Sequence, residues 1–295
     1  MEGVPYDFID RVLNRLDSEV LYEIYTSIDD PSWKEIAIKY EKKRKYYRLH
    51  LYPSLEGPWS YELLDEERNH YRFEEISRED SRFVVFYILS IRQRSGLETS
   101  CELDRALVSD LIHLVAECTL KRTIAYLEVD LNQEFHDVQN QFMAEILQAD
   151  LNVEILSITS FTPHSEAFVV KQMRLETMND LVLGDWTRGS SWTENLKEPL
   201  GDFLFSSRYI RAQLCGSPMF DATCLKALIS RWNSICSPIS SRLVVATDER
   251  LEEFFESLNM DLYLKHKDGR SYIEYDCYKN TCSIEFVHCD DDFVK

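Results

Sequence analysis

Through the first fifty residues the apolar positions fall at three- and four-residue intervals. Phe8, Ile9, Val12, Leu13 and Leu16 form one stripe, the pattern of a helix that buries a single face. Pro5, with its fixed φ and missing N–H, suits a first helical turn, and Asp7 favours the positive helix start. A helix is therefore predicted from about residue 5. Asp17 and Ser18 are N-cap types ahead of Val20, Leu21 and Ile24, so a second short helix is predicted to fold back on the first. Asp29-Asp30-Pro31 ends it. A third helix is predicted over residues 32–45, burying Trp33, Ile36, Ala37 and Tyr40, with Lys42, Lys43, Arg44 and Lys45 near its C-terminal end, where cations are favoured. Three short helices bury too little apolar surface to stand by themselves, which predicts a partner.

The pattern then changes. Residues 46–52 read as a strand, 53–58 as a loop, and 59–81 as a polar, irregular or hairpin region. The apolar run 83–89 is rich in β-branched and aromatic residues, far shorter than the ~20 residues that span a bilayer, and begins a buried strand over 83–91. Helical periodicity returns over 103–120. From there a weak repeat is visible: Leu127-x-Val129, Leu156-x-Ile158, Leu181-x-Leu183, Ile210-x-Ala212 and Leu243-x-Val245 stand 29, 25, 29 and 33 residues apart. Strand plus helix at such a quasi-period suits a curved, leucine-rich-repeat-like array on a parallel sheet. An ordinary α/β domain with helices of similar length would give the same rhythm. Helix faces are visible in Phe142, Met143, Ile146 and Leu147, and near Ala167, Val170 and Lys171. The clearest comprises Leu225, Leu228, Ile229 and Trp232 after an N-cap at Asp221. Asp268-Gly269 and Lys279-Asn280 predict tight turns among strands over 262–265, 272–275 and 283–288, a terminal β-meander.

Charge narrows the partners. Lys and Arg total 33 against 52 Asp and Glu, a net charge of −19, which opposes binding to nucleic acid or to anionic membranes. The basic run over 39–48 reads as a solvated helix end. The N-terminus lacks a basic start followed by an apolar run, so an intracellular protein, cytoplasmic or nuclear, is expected. Eight cysteines without a CxxC pair predict reduced thiols and no disulfide framework.

Little points to catalysis. Cys277, Cys282, His288 and Cys289 form a Cys/His cluster, but their spacing suits structural zinc poorly. No nucleophile elbow, glycine-rich phosphate loop or HExxH helix is present. No enzyme activity, metal or cofactor is expected. Trp186, Trp192 and Phe203 flank a loop-rich segment and are candidate anchors for a target protein, or else core residues beneath an irregular crossover.

The N-terminal stretch resembles an F-box at Val4-Pro5, Asp7, Phe8-Ile9, Val12-Leu13, Leu16, Leu21 and Trp33. It differs in opening with Val and in carrying Asp29 where a Val is usual. The stretch over 220–258, with Leu228-Ile229-x-x-Trp232, Ser241-Arg242-Leu243-Val244-Val245 and Arg250-Leu251-Glu252-Glu253-Phe254, resembles the F-box-associated region of the nematode F-box families, and Asp268-Gly269-Arg270 resembles that region's closing hairpin. The resemblance implies an α+β or α/β chain: a three-helix F-box-like unit over 1–48, then an irregular leucine-rich-repeat-like array with a C-terminal meander over 49–295. It further implies a substrate-recruiting subunit of a ubiquitin ligase. Val4, Pro5, Phe8, Ile9, Val12, Leu13, Leu16, Leu21 and Trp33 would dock on a Skp-type adaptor and through it a cullin, while the array holds a target protein. A family member that no longer binds the adaptor and acts only as an interaction protein remains the alternative, followed by a thiol or zinc enzyme.

Overall fold

Helical stripes and strand alternation sort the chain into two mixed α/β units in the computed structural model, which describes residues 4–16, 18–93, 100–119, 123–175, 177–184, 194–214, 222–236, 239–246, 263–266, 270–278 and 281–288. Unit 1 comprises Met1–Leu127 and Glu145–Val153, and unit 2 comprises Glu128–Ala144 and Glu154–Lys295.

In unit 1, α1 (Tyr6–Leu13), α2 (Ser18–Ser27) and α3 (Pro31–Lys43) form where the stripes predict them. Asp30, read from sequence as part of a helix stop, also starts the next helix. Its carboxylate accepts from the Ser32 N–H at 2.8 Å, and Pro31 occupies the first turn, the arrangement that satisfies otherwise orphaned donors. Arg44 is extended, and β1 (Lys45–Tyr52) follows at once. The turn after it leads to β2 (Trp59–Asp65), antiparallel to β1 with Leu49 opposite Leu63, and then to β3 (His70–Tyr71) in a hairpin with β2. The short helix α4 (Phe73–Ile76) completes the stretch read as irregular or hairpin. β4 (Val84–Arg92) lies parallel to β1 with a bulge at Tyr87, and β5 (Cys101–Leu103) pairs with β2. α5 (Val108–Cys118) begins after a 3₁₀ turn over Arg105–Leu107, so the helix is shorter than its periodicity predicts. Tyr47, Leu49 and Leu51 of β1, Phe86, Leu89 and Ile91 of β4, and Leu111, Ile112 and Val115 of α5 are fully buried. The boundary expected at residue 48 lies inside this unit.

The elements that follow are β6 (Thr123–Asp130), α6 (His136–Gln148), β7 (Asn152–Ile158), α7 (Pro163–Met173), β8 (Asp180–Leu183), α8 (Lys197–Leu204), β9 (Ile210–Leu214), α9 (Ala222–Ser234), β10 (Ser241–Ala246), β11 (Tyr263–Lys265), β12 (Tyr272–Tyr278) and β13 (Thr281–Val287). In unit 2, β7, β8, β9 and β10 pair in parallel and in chain order. β13 then pairs antiparallel with β10, β12 with β13, and β11 with β12, a terminal meander.

Each of the five repeat pairs lies in a strand, but one is displaced. Register places Leu156, Leu181, Ala212 and Leu243 side by side, and Ile158, Leu183, Leu214 and Val245 beside them. In β9 the equivalent pair is therefore Ala212-x-Leu214, two residues later than Ile210-x-Ala212. All eight are buried, as is Ile210, so Ile210-x-Ala212 and Ala212-x-Leu214 satisfy the pattern equally and only pairing selects between them. The face of α7 also differs from its expected one: Phe168, Val169, Gln172 and Met173 are buried, whereas Ala167 is exposed and Val170 and Lys171 are half-buried. Thr162 caps α7 through a reciprocal pair with Ser165, which fixes where the helix starts. α9 buries Leu225, Leu228 and Trp232 and leaves Ile229 half-buried.

Candidate functional site

The nine residues predicted to meet an adaptor divide by environment. Ile9, Leu13 and Leu21 are buried with Ile36, Ala37 and Tyr40 in the core of the three helices. Val12, Leu16 and Trp33 are half-buried, and the last two pack against that core. Val4, Pro5 and Phe8 face solvent, with Phe8 54% exposed beside Ile9 at 1%. Phe8 and Val12 stand about one turn apart on α1, and Val4 lies in the extended segment just before the helix. Tyr6 and Tyr22, neither singled out by the motif, add exposed aromatic surface.

This surface is held on a firm base. The guanidinium of Arg44 is buried and donates to the carbonyls of Leu13, Asn14 and Leu16, at and just beyond the C-terminal end of α1, where carbonyls run short of helical donors. The basic run thus contains one interior residue. Tyr40, at 5.3 Å from the Phe83 ring, donates to the Asp10 carbonyl at 3.4 Å. Burial, reinforced by Asp10, pushes its hydroxyl up to about 12. Asp10 also meets Lys39 at 3.8 Å and Arg82 at 3.1 Å. Lys39, Lys43 and Arg82 surround the Phe83 ring at 5.6–5.7 Å, a cation–π arrangement that joins the helices to the strand layer of unit 1.

A second cluster in unit 1 escaped the sequence reading. Glu62 of β2, His50 of β1 and Ser90 of β4 are neighbours in register. Tyr52 donates to Glu62 at 2.8 Å, and His50 Nδ1 lies 2.6 Å from Ser90 Oγ and 2.8 Å from Arg92 Nη2. A guanidinium only donates, so Nδ1 is the acceptor and the ring proton sits on Nε2. Burial, with Arg92 next, lowers His50 to about 4, against an opposing pull from Glu62. Burial and the bond to Glu62 raise Tyr52 to about 12. The residue types are those of a hydrolytic triad, but the geometry is not. Ser90 is fully buried, and its hydroxyl competes with Arg92 for one imidazole lone pair, so no nucleophile is presented. The row is a packed polar network. Its signal in the sequence was polar residues at alternate positions, Arg48-x-His50 and Ser90-x-Arg92, inside otherwise apolar strands.

In unit 2 the side chains that alternate with the buried rows form two further rows. One runs Ile155, Asp180, Arg211, Arg242, Glu285 and Glu274 across β7, β8, β9, β10, β13 and β12; the other runs Ser157, Val182, Gln213, Val244 and Ser283. All eleven are exposed or half-buried. Arg211 pairs with Asp180, and Arg242 lies 3.3 Å from Glu285 and 3.1 Å from the Ser283 hydroxyl.

Of the proposed target anchors, Phe203 is 1% exposed and is a core residue, not a surface one, because it lies on the inner side of α8 with Leu200 and Leu204. Trp186 and Trp192 lie outside the described residues. Of the Cys/His cluster, Cys282 is buried and His288 lies 2.8 Å from the Ser271 hydroxyl; Cys289 and the side chain of Cys277 lie outside the described residues. Among the described residues no group of three or more His, Cys, Asp or Glu is placed to hold a metal ion, and no helix is long and apolar enough to cross a membrane. Compared with known proteins, the chain matches no family model, no curated protein and no solved structure.

Proposed function

We propose that this chain is an F-box-like recruiting subunit: its N-terminal helices bind a Skp-type adaptor, and through it a cullin, while the strand-and-helix array of unit 2 binds a target protein. The observation that carries this reading is the pair Phe8 and Ile9 on α1, one outside and one inside. A helix that needed its apolar residues only for its own core would have no use for Tyr6 and Phe8 on the solvent side, next to an exposed Val4. Sequential parallel strands in unit 2 are what a leucine-rich-repeat-like array requires. Ubiquitin transfer chemistry belongs to other subunits in this reading.

The test is co-purification with a recombinant Skp-type adaptor. Full chain should retain the adaptor, and a Val4→Asp, Phe8→Asp variant should lose it by at least about tenfold in affinity while keeping its thermal midpoint, since both side chains are solvent-facing. Retention by neither removes the adaptor role and leaves an interaction protein outside the ligase, whereas retention by both overturns the exposed edge around Val4 and Phe8 as the docking surface.

A further inference from the structure

On the side of the unit 1 sheet that carries His50 and Ser90, two arginines are spent on neutral groups. Arg48 stands two residues before His50 on β1 and Arg92 two residues after Ser90 on β4, so both share a sheet side with that pair and flank it. Arg48 donates its Nε–H to the Tyr87 hydroxyl and lies over the Tyr87 ring at 5.3 Å. Arg92 donates to His50 Nδ1 at 2.8 Å and lies against the Tyr52 hydroxyl. Among the described residues neither arginine forms an ion pair. Glu62, the carboxylate across from His50 on β2, is buried and accepts from the Tyr52 hydroxyl. The Nε–H of Arg92 is buried and meets no acceptor, a costly arrangement for a charged donor. What the row still offers is donors: the Nη groups of Arg48, the Arg92 Nε–H, the His50 Nε2–H and the Tyr87 O–H, none of which meets an acceptor among the described residues. Arg48, His50, Tyr87 and Arg92 are half-buried, so solvent reaches each. Both guanidiniums bear on the imidazole, each disfavouring its charged form, as groups gathered round one point do.

We infer that this row is a phosphate-binding site: a phosphate monoester seats over His50, with the Arg48 and Arg92 guanidiniums on either side of it. The site lies in unit 1 and is independent of adaptor docking. Two guanidiniums, an imidazole N–H and a phenol O–H exceed what the two oxygens of a carboxylate take up, whereas a phosphate monoester brings three terminal oxygens and close to two negative charges. Forked guanidinium donors match such oxygens in pairs. The Arg92 Nε–H gains the acceptor it lacks, and neutral His50 contributes through Nε2–H while Nδ1 keeps its bond to Arg92. A chain of net charge −19 repels anions at long range, so the local donors do the selecting, and they favour the phosphate group over anions in general. The group is carried by a small molecule or by a phosphorylated side chain of another protein; the chemistry recognised is the same.

The experiment is isothermal titration calorimetry of the full chain at low ionic strength with three ligands: glycerol phosphate, a short synthetic peptide carrying one phosphoserine, and the same peptide with glutamate in that position. Phosphate-bearing ligand should bind at least about tenfold tighter than the glutamate peptide. Glycerol phosphate as tight as the phosphopeptide assigns the site to small molecules, and a further tenfold or so for the phosphopeptide assigns it to a phosphorylated protein. An Arg48→Gln, Arg92→Gln variant should lose at least about tenfold in phosphate affinity, and Arg48→Lys, Arg92→Lys should keep part of it; circular dichroism reports whether each is folded. If the double variant does not fold, Arg48→Gln alone, which leaves the His50–Arg92 contact in place, carries the test with a loss of at least about threefold. Binding of neither phosphate ligand, equal binding of the glutamate peptide, or unchanged phosphate affinity in a folded Gln variant overturns the inference.

Discussion

Arg44 holds three carbonyl oxygens with one side chain, something only a planar, multiply donating cation can do. Arg44→Ala should cost about 3 kcal/mol, because it removes a charged donor shared by three carbonyls, two of them part-buried. Arg44→Lys should recover less than half, since a single ammonium cannot span all three. Urea denaturation checks both: the midpoint should fall with the slope unchanged. His50 makes a prediction in pH. Its folded value of about 4 lies below its ordinary 6.5, so between those values the unfolded chain binds more protons and the folded state loses stability as pH falls. The loss should be about 1–2 kcal/mol once solvent screening of this partly exposed ring is allowed for. Denaturation midpoints across that window should slope in the wild type and flatten in His50→Gln. Neither residue stood out in the sequence. Arg44 was one of several adjacent cations, and His50 was one polar position in an apolar strand. Long-range partners, 28 to 31 residues away for Arg44 and 40 to 42 for His50, gave each its role.

At the scale of the element, most of the secondary structure was legible because it follows local rules. Helical stripes located α1, α2, α3 and α9, and alternating apolar pairs located β6 to β10; the expected turns at Asp268-Gly269 and Lys279-Asn280 and the expected cap at Asp221 lie outside the described residues. Phase was less legible than presence. The side of α7 that faces inward, with Phe168, Val169, Gln172 and Met173, depended on what the helix packs against, and the register of β9 depended on its neighbours β8 and β10. The two sides of β8 should therefore respond very differently to truncation. Leu181→Ala removes a fully buried side chain from a row of neighbours and should cost about 2–5 kcal/mol. Val182→Ala, on the open side, should cost under about 1 kcal/mol. Thermal or urea unfolding of the two variants measures the contrast, and equal losses would mean that the open side of β8 is as tightly packed as the inner one.

For the molecule as a whole, charge is the dominant long-range property. An excess of 19 negative charges repels itself, and this repulsion is larger in the compact state. Raising salt from about 0.01 to 0.1 M shortens the screening length from about 30 to 10 Å and should raise the thermal midpoint by about 2 °C or more. A fall would instead mean that pairs such as Arg82–Asp10 and Arg211–Asp180 outweigh the general repulsion. Composition also governed which partners were sensible, and the amino-acid sequence by itself determined the helices, most strands and the apolar repeat, since each depends on residues within a turn or two of one another. Tertiary structure alone decided that Phe8 faces out while Ile9 faces in, that Phe203 is core, that Arg44 is interior, and that Arg211 and Arg242 stand opposite each other in register. Those outcomes depend on pairing between segments far apart in the chain, and a period of two or of 3.6 residues carries no information about which distant neighbour each face will find.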